Sequence, residues 1–314
     1  MQVFTSYENL PDSIRNGVVA IGNFDGVHRG HQTVVSEAGR FAKTGGMPWS
    51  VLTFEPHPRR IFAPDSPPFR ITPASAKARA IESLGVDALI VLAFNKAFSE
   101  RTPDSFIHEV LVKELNAQHV VAGYDFKFGH KRAGNCELLF RKGQEGGFDF
   151  TAVQAQNDDD GGIISSTRIR DFLNDGNPAA AANLLGRPFE IEGDVQHGDE
   201  RGRTIGFPTA NVFLGNYMRP VNGVYAVRVT IDGTAHDGVA NLGHRPTFDG
   251  QDATLEAHLF DFNDDLYGQN VRVALIDYLR PEKKFDGIDD LKAQIGLDCD
   301  QAREILRKTL SDET

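Results

Sequence analysis

The chain changes texture near residue 185, and that change constrains its fold more than any single motif. Before it, short apolar runs alternate with helical patterns: Val18 to Ile21, Ser50 to Phe54, Ala88 to Ala93 and His119 to Gly123 read as strands. Gly30 to Lys43, Pro73 to Leu84 and Pro103 to Asn116 read as the helices between them. Alternating strands and helices specify an open α/β sheet with parallel strands. After the Ala-rich helix Pro178 to Leu185, β-branched segments punctuated by glycine take over (GVYAVRVTIDG, GVANLG, ATLEAHLF, NVRVALIDYL), as expected of a small antiparallel barrel. A final helical stretch, Ile288 to Leu310, offers Leu291, Ile295, Ile305 and Leu306 for packing on its outside. With 314 residues to distribute, two domains are expected, over 1–182 and 183–314; the helix resuming at Thr167 after the loop NDDDGG is kept in the first.

Directly after the strand Val18 to Ile21 comes GNFDGVHRGHQ, which sets His28 and His31 three residues apart as a helix begins. Gly22, Gly26 and Gly30 let the backbone come close to a phosphate, and the helix start favours anionic charge there. Open α/β sheets bind ligands at the carboxyl ends of their strands. Gly22, Asn23, Phe24, Gly26, His28 and His31 are therefore the candidates for holding a nucleotide. Two imidazoles in this place can stabilise charge building up on the α-phosphate of ATP as a phosphate nucleophile, which needs no general base, attacks and pyrophosphate departs.

Two further segments belong with this one. YDFKFGHKRAGN follows the strand His119 to Gly123 and offers Asp125, Phe126 and Phe128 for polar and stacking contacts. ISSTRIR supplies hydroxyls at Ser166 and Thr167 with Arg170 one turn in, a set that can hold phosphate oxygens or merely cap a helix.

In the second half there is no G-x-x-x-x-G-K-[ST], so phosphoryl transfer there would need another construction. HGDERGRTIGFPTAN provides one: Gly202, Arg203 and Gly206 in a loop whose amides can cradle phosphates, followed by Thr209 and Asn211. A hydroxyl and an amide oxygen two residues apart on an extended chain share one face and can share a Mg²⁺. Glu256 stands among apolar residues in LEAHLFDF, either facing solvent by alternation or placed for chemistry. An alcohol nucleophile needs its proton removed, and Glu256 is the candidate general base.

The charge balance and cysteine content bound the rest. A net charge of −11 argues against a nucleic-acid binder, which presents a basic face to phosphates. Only Cys136 and Cys299 are present, far apart, which suggests neither a disulfide framework nor a thiolate zinc site and fits a reducing cytoplasm. No basic start followed by an apolar run and no stretch of about 18 apolar residues is seen, so no membrane association is expected. The oligomeric state stays open.

GNFDGVHRGH and ISSTRIR together resemble the HxGH-type nucleotidyltransferase superfamily, and YDFKFGHKRAGN narrows the resemblance to the FAD synthetase module of bacterial riboflavin kinase/FAD synthetases. GFPTAN, GVYAV, NLGHRPTF, LEAHLFDF and LRPEKKF follow in the order found in riboflavin kinases. The resemblance implies a Rossmann-like nucleotidyltransferase domain with a parallel sheet, then a six-stranded antiparallel β-barrel with a C-terminal helix. It implies that His28 and His31 contact the ATP phosphates and that Asn23 and Asp125 help place nucleotide and flavin. Ser166, Thr167 and Arg170 would hold pyrophosphate, Thr209 and Asn211 would bind Mg²⁺ with ATP, and Glu256 would activate riboflavin. The implied partners are small molecules: ATP, riboflavin and FMN. Rival readings are a nucleotidyltransferase of another small phosphate substrate, such as phosphopantetheine or nicotinamide mononucleotide, whose barrel serves only as a sensor, and a flavin-binding regulator without catalysis.

Overall fold

The structure, a computed structural model, describes residues 1–197, 205–247 and 250–311. By packing, the chain forms two compact units: one comprises Met1–Ser66 and Thr72–Ser165, the other Pro67–Ile71 and everything from Ser166 onward.

The first unit is built on six strands: β1 (Gln2–Phe4), β2 (Val18–Ile21), β3 (Trp49–Glu55), β4 (Ala88–Ala93), β5 (His119–Gly123) and β6 (Asp149–Val153). They pair in the order β1-β4-β3-β2-β5-β6, every neighbour parallel. Helices α1 (Arg29–Gly45), α2 (Pro58–Phe62), α3 (Ala74–Glu82), α4 (Lys96–Ser99), α5 (Pro103–Phe106) and α6 (Cys136–Gly146) connect them, with α5 running on as a π-helix over Ile107–Glu114. Strand β2 reads VVAI and is buried throughout, as a strand covered on both faces must be. On α1, Val34, Val35, Ala38 and Ala42 recur at helical spacing and form a core with Val18, Ala20 and Val51. The opposite face packs Val19, Ile21, Leu52 and Ile90 against Val110 and Leu111.

From β2 the chain proceeds outward through β3 to β4 and then returns to the other side of β2 as β5. The strand order thus reverses between β2 and β5, the place where open α/β sheets form a ligand crevice. GNFDGVH leaves β2 and YDFKFGH leaves β5, so both predicted loops flank this point.

In the second unit, α7 (Ser166–Asn174) and α8 (Pro178–Leu185) precede β7 (Phe189–Gln196), β8 (Ala210–Phe213), β9 (Gly223–Ile231), β10 (Thr234–Thr247), β11 (Gly250–Leu259) and β12 (Asn270–Arg280), with α9 (Ile288–Ser311) last. The six strands close into an antiparallel barrel in the order β10-β11-β8-β7-β12-β9. Along β11, Ala253, Leu255 and Ala257 are fully buried and alternate with Glu256 and His258, which are half-buried. Helix α9 packs Cys299, Ala302 and Leu306 onto Val224, Ala226, Val239 and Phe260. Among the described residues, no helix is long and apolar enough to cross a membrane.

Candidate active sites

His28 is the N-cap of α1, and its Nδ1 accepts the backbone N–H of His31 at 3.3 Å. That bond occupies Nδ1 as an acceptor, which leaves the proton of the neutral ring on Nε2. The two imidazoles stack with centroids 3.6 Å apart and planes 17° from parallel. Phe24, only 1% exposed, meets His31 edge-on at 5.3 Å. Phe24 therefore supports the imidazole from the core side. Gly22 is needed beneath it, because a Cβ there would lie 2.9 Å from the Phe24 ring. Gly26 has φ +93°, and its N–H donates to the Thr72 hydroxyl at 2.8 Å, while the Thr72 N–H donates to Asp25 at 3.1 Å. Asp25 and Thr72 are both buried, so the motif's carboxylate fixes the loop.

The Nδ1 of His31 is sealed from solvent and has no hydrogen-bond partner among the described residues. Burial, then the neighbouring His28 and Lys77, hold the His31 pKa well below the usual imidazole value. A neutral ring with an unmet nitrogen is poised to gain from a polyanion. Lys77 is the functional neighbour that motif reading missed. On α3 it is 1% exposed, and its ammonium lies 2.7 Å from Glu55, 3.0 Å from the Thr53 hydroxyl and 3.3 Å from the Asn23 carbonyl. Its signal was available: Lys77 falls four residues before the buried Ile81, on the apolar face of α3.

Asn23 also lines a cavity of about 850 Å³ in the same unit. Phe54, Phe94, Phe98, Phe106, Phe126 and Phe128 form its aromatic wall, and Lys96, Arg101, Lys127, Lys131 and Arg132 its basic lining. Phe126 and Phe128 stack at 5.6 Å with planes 14° from parallel. Asp125 is exposed and is not among the lining residues. Asn135 caps α6 by accepting the Leu138 N–H at 2.9 Å.

Ser166, Thr167 and Arg170 stand on α7 and pack with the second unit. Arg170 donates from Nε to the Phe69 carbonyl at 2.8 Å and lies over the Phe69 ring.

On the barrel, β8 pairs with β11 so that Asn211 is directly opposite Glu256, and β10 sets Asn241 opposite Glu256 on its other side. Asn211 is 4% exposed. Glu256 lines a cavity of about 320 Å³ with Asn241, Arg280, Glu282, Leu291 and Ile295, and so faces a cleft under α9. Asn211 lines a second cavity of about 440 Å³ with Pro208, Asn263, Asp264 and Tyr267. Thr209 lines both. His258 bonds through Nδ1 to the Pro208 carbonyl at 2.8 Å and steadies the PTAN segment. Gly206 is exposed with φ +89°. Gly202 and Arg203 lie outside the described residues. The cavity partners Asn263, Asp264 and Tyr267 were not foreseen, since the loop after β11 carries no motif.

A family model described as FAD synthetase matches residues 10–168, and one described as riboflavin kinase matches residues 185–306. The chain is 44% identical over 312 residues to the bifunctional riboflavin kinase/FMN adenylyltransferase of Escherichia coli strain K12, across 98% of this chain and 99% of that protein. It is 41% identical over 290 residues to the protein of that name from Bacillus subtilis strain 168, across 91% of each. Among solved structures, one described as a macrolide-efflux protein from Streptococcus pneumoniae matches with a TM-score of 0.84 at 36% identity, over 95% of this chain and 97% of the other. The chain belongs to the bifunctional riboflavin kinase/FMN adenylyltransferase family.

Proposed function

We propose that the chain builds flavin cofactors in two steps, phosphorylating riboflavin with ATP to give FMN and ADP on the barrel, then adenylylating FMN with a second ATP to give FAD and pyrophosphate at the parallel sheet. The observation that carries the first step is Thr209, which borders both the cleft containing Glu256 and the cleft containing Asn211. In-line phosphoryl transfer needs an acceptor alcohol and a nucleotide to meet from two sides, with a base on the acceptor side. We assign Glu256 as the base for the terminal ribityl hydroxyl, with riboflavin in its cleft and the nucleotide in the other.

The Thr209 hydroxyl and the Asn211 amide oxygen are hard oxygen donors, the kind Mg²⁺ takes alongside phosphate oxygens, and we assign them to it. When bound, the ion neutralises phosphate charge on ATP. Gly206 and the Gly202 to Arg203 segment complete the nucleotide loop in this reading.

For the second step we assign His28 and His31 to the ATP phosphates, with Gly22, Asn23 and Gly26 shaping the approach. Phe24 acts by fixing His31. The FMN ring lies in the aromatic cavity against Phe126 and Phe128, with Asp125 at its margin. We assign Ser166, Thr167 and Arg170 to the departing pyrophosphate and so count α7, though it packs with the second unit, to an adenylyltransferase module over 1–182, with the kinase module over 183–314. The FMN phosphate is itself the nucleophile and loses no proton, so catalysis rests on orientation and charge stabilisation. We place both reactions in the cytoplasm, where Cys136 and Cys299 stay as thiols.

The test is incubation with riboflavin, ATP and Mg²⁺, with FMN and FAD separated by chromatography. Glu256→Gln should abolish FMN formation and keep FAD formation from supplied FMN; His28→Ala with His31→Ala should do the reverse. Loss of both activities in either variant would refute the assignment of two separate sites.

A further inference from the structure

We propose that Arg101 is a specificity-determining residue that binds the carbonyl edge of the flavin ring in the adenylyltransferase cavity, an inference that rests on the assignment of that cavity to FMN. The aromatic wall described above supplies contact area for any flat ring and does not by itself tell a flavin from another polycycle. An isoalloxazine differs at its two ends, one a dimethylbenzene and the other a pyrimidinedione with two carbonyl oxygens and a ring nitrogen. Taking the second end out of water without donors would leave its acceptors unsatisfied, at a cost in affinity.

Arg101 borders this cavity and carries an unmet donor. Its Nη1 is sealed from solvent and has no hydrogen-bond partner among the described residues, where it also forms no ion pair. Its guanidinium lies 5.6 Å from the centre of the Tyr7 ring and 5.5 Å from that of Phe98, contacts that favour a cation and limit its freedom. Arginine does not shed its proton, so a buried N–H without an acceptor must find one in a ligand or remain a penalty. The backbone holds the residue in register with the ring-stacking loop, because the Arg101 carbonyl accepts the His130 N–H at 2.7 Å.

Position decides which part of FMN it meets. Asn23 follows β2, where the reacting phosphate must reach the two imidazoles. Arg101 follows β4 and lies against Tyr7, beyond β1. Through its carbonyl on His130, Arg101 also stands next to the loop after β5 that carries the stacked Phe126 and Phe128. That placement, beside the rings that would stack on the flavin, puts the ring's polar end at Arg101. The exposed Lys127, Lys131 and Arg132 are available for phosphate charge. A planar fork matches paired neutral acceptors better than an ammonium does, so lysine should substitute poorly.

The experiment uses the full chain at saturating ATP, with FMN varied and lumiflavin as competitive inhibitor; lumiflavin has the ring, lacks the ribityl phosphate and is no substrate for either step. In Arg101→Gln, the KM for FMN and the Ki for lumiflavin should rise together by about tenfold, the loss of one charge-assisted hydrogen bond. The KM for ATP and the rate of riboflavin phosphorylation should not move, and Arg101→Lys should recover only part of the loss. If Arg101→Gln has no folded baseline in thermal unfolding, Arg101→Lys is judged by the same criteria. A raised KM for FMN with unchanged lumiflavin inhibition would mean a phosphate contact and overturn the proposal, as would no change in either. Wild-type protein that makes no FAD from FMN would instead overturn the assignment of the cavity.

Discussion

Glu256 stands directly opposite Asn211 across the β8 and β11 ladder, with Asn241 opposite it on the other side. Side chains so paired have Cβ atoms about 5 Å apart, close enough for the proposed base and the proposed metal-binding amide to serve one reaction without being one group. Their roles should therefore separate in kinetics. Asn211→Ala should raise the Mg²⁺ concentration giving half-maximal riboflavin phosphorylation by about tenfold. Glu256→Asp should lower kcat by about a hundredfold with the Mg²⁺ dependence unmoved. Rates across a magnesium titration decide this, and an equal magnesium shift in both variants would contradict separate roles.

His31 gives a proton signature. Its depressed pKa, caused first by burial and then by His28 and Lys77, keeps the ring neutral at neutral pH in the ligand-free protein. A polyphosphate beside it favours the charged form, so ATP binding should be accompanied by proton uptake at pH values between the depressed pKa of the free protein and the higher one of the complex. Calorimetric enthalpies in buffers of different ionisation heat measure this, and His31→Gln should remove the His31 share. The same shift bears on stability. The unfolded chain, with an imidazole pKa near 6.5, binds the proton more readily than the folded one. The stabilisation held by a neutral His31 is complete above about pH 6.5 and is lost as pH falls below it. Denaturant midpoints should thus decline less steeply on acidification in His31→Gln than in wild type.

Lys77 illustrates why part of the site escaped sequence reading. The cores followed from periodicity, since Val18 to Ile21 and Ala88 to Ala93 are continuous apolar runs and their bounds match β2 and β4. The three-residue β1, by contrast, is too short to show a period, and the half-buried β6 and the amphipathic α6 lie between loops that mask them. GNFDGVHRGH was legible because helix capping and close backbone approach are local demands. The Lys77 to Glu55 pair and the Arg101 cage depend on residues brought together only by folding, 22 and 94 positions apart in the cases of Glu55 and Tyr7 (77 − 55 and 101 − 7). The π-helical run Ile107–Glu114 likewise carries an ordinary helical pattern, and nothing in its spacing announces the wider turn.

Lys77 also yields a prediction. Lys77→Met removes the Lys77 ammonium from Glu55, whose side chain is 18% exposed, and leaves the Asn23 carbonyl with the Thr53 hydroxyl alone of its two donors. Breaking one side of such a pair should cost about 3 kcal/mol, and Lys77→Met with Glu55→Gln should restore part of it. Chemical denaturation measures both. FAD formation from FMN should fall further than stability alone explains, because the Asn23 loop loses one of the two donors that hold its carbonyl, and Lys77→Arg should recover activity. A double variant no more stable than Lys77→Met would mean that Glu55 is satisfied elsewhere.

The cleft proposed for the kinase step is walled in part by α9, and one ion pair ties that helix to the barrel. Arg280 at the end of β12 binds Asp298 of α9 through two bonds, at 2.9 and 2.7 Å, and Gln294 donates to the same carboxylate at 3.0 Å. Asp298 is 4% exposed, so its removal leaves a guanidinium facing a partly dry cleft. Arg280, Asp298, Leu291 and Ile295 all line the cavity that contains Glu256. Asp298→Ala should therefore destabilise the barrel by about 3 kcal/mol. It should also raise the KM for riboflavin, because α9 forms one wall of the cleft, while FAD formation from FMN stays as in wild type. Asp298→Asn keeps the shape and one strong acceptor, so it should lie between the two. Denaturant unfolding with parallel assays of the two reactions gives the answer: an equal loss in both activities would mean that the ion pair supports the whole chain rather than the wall of this cleft.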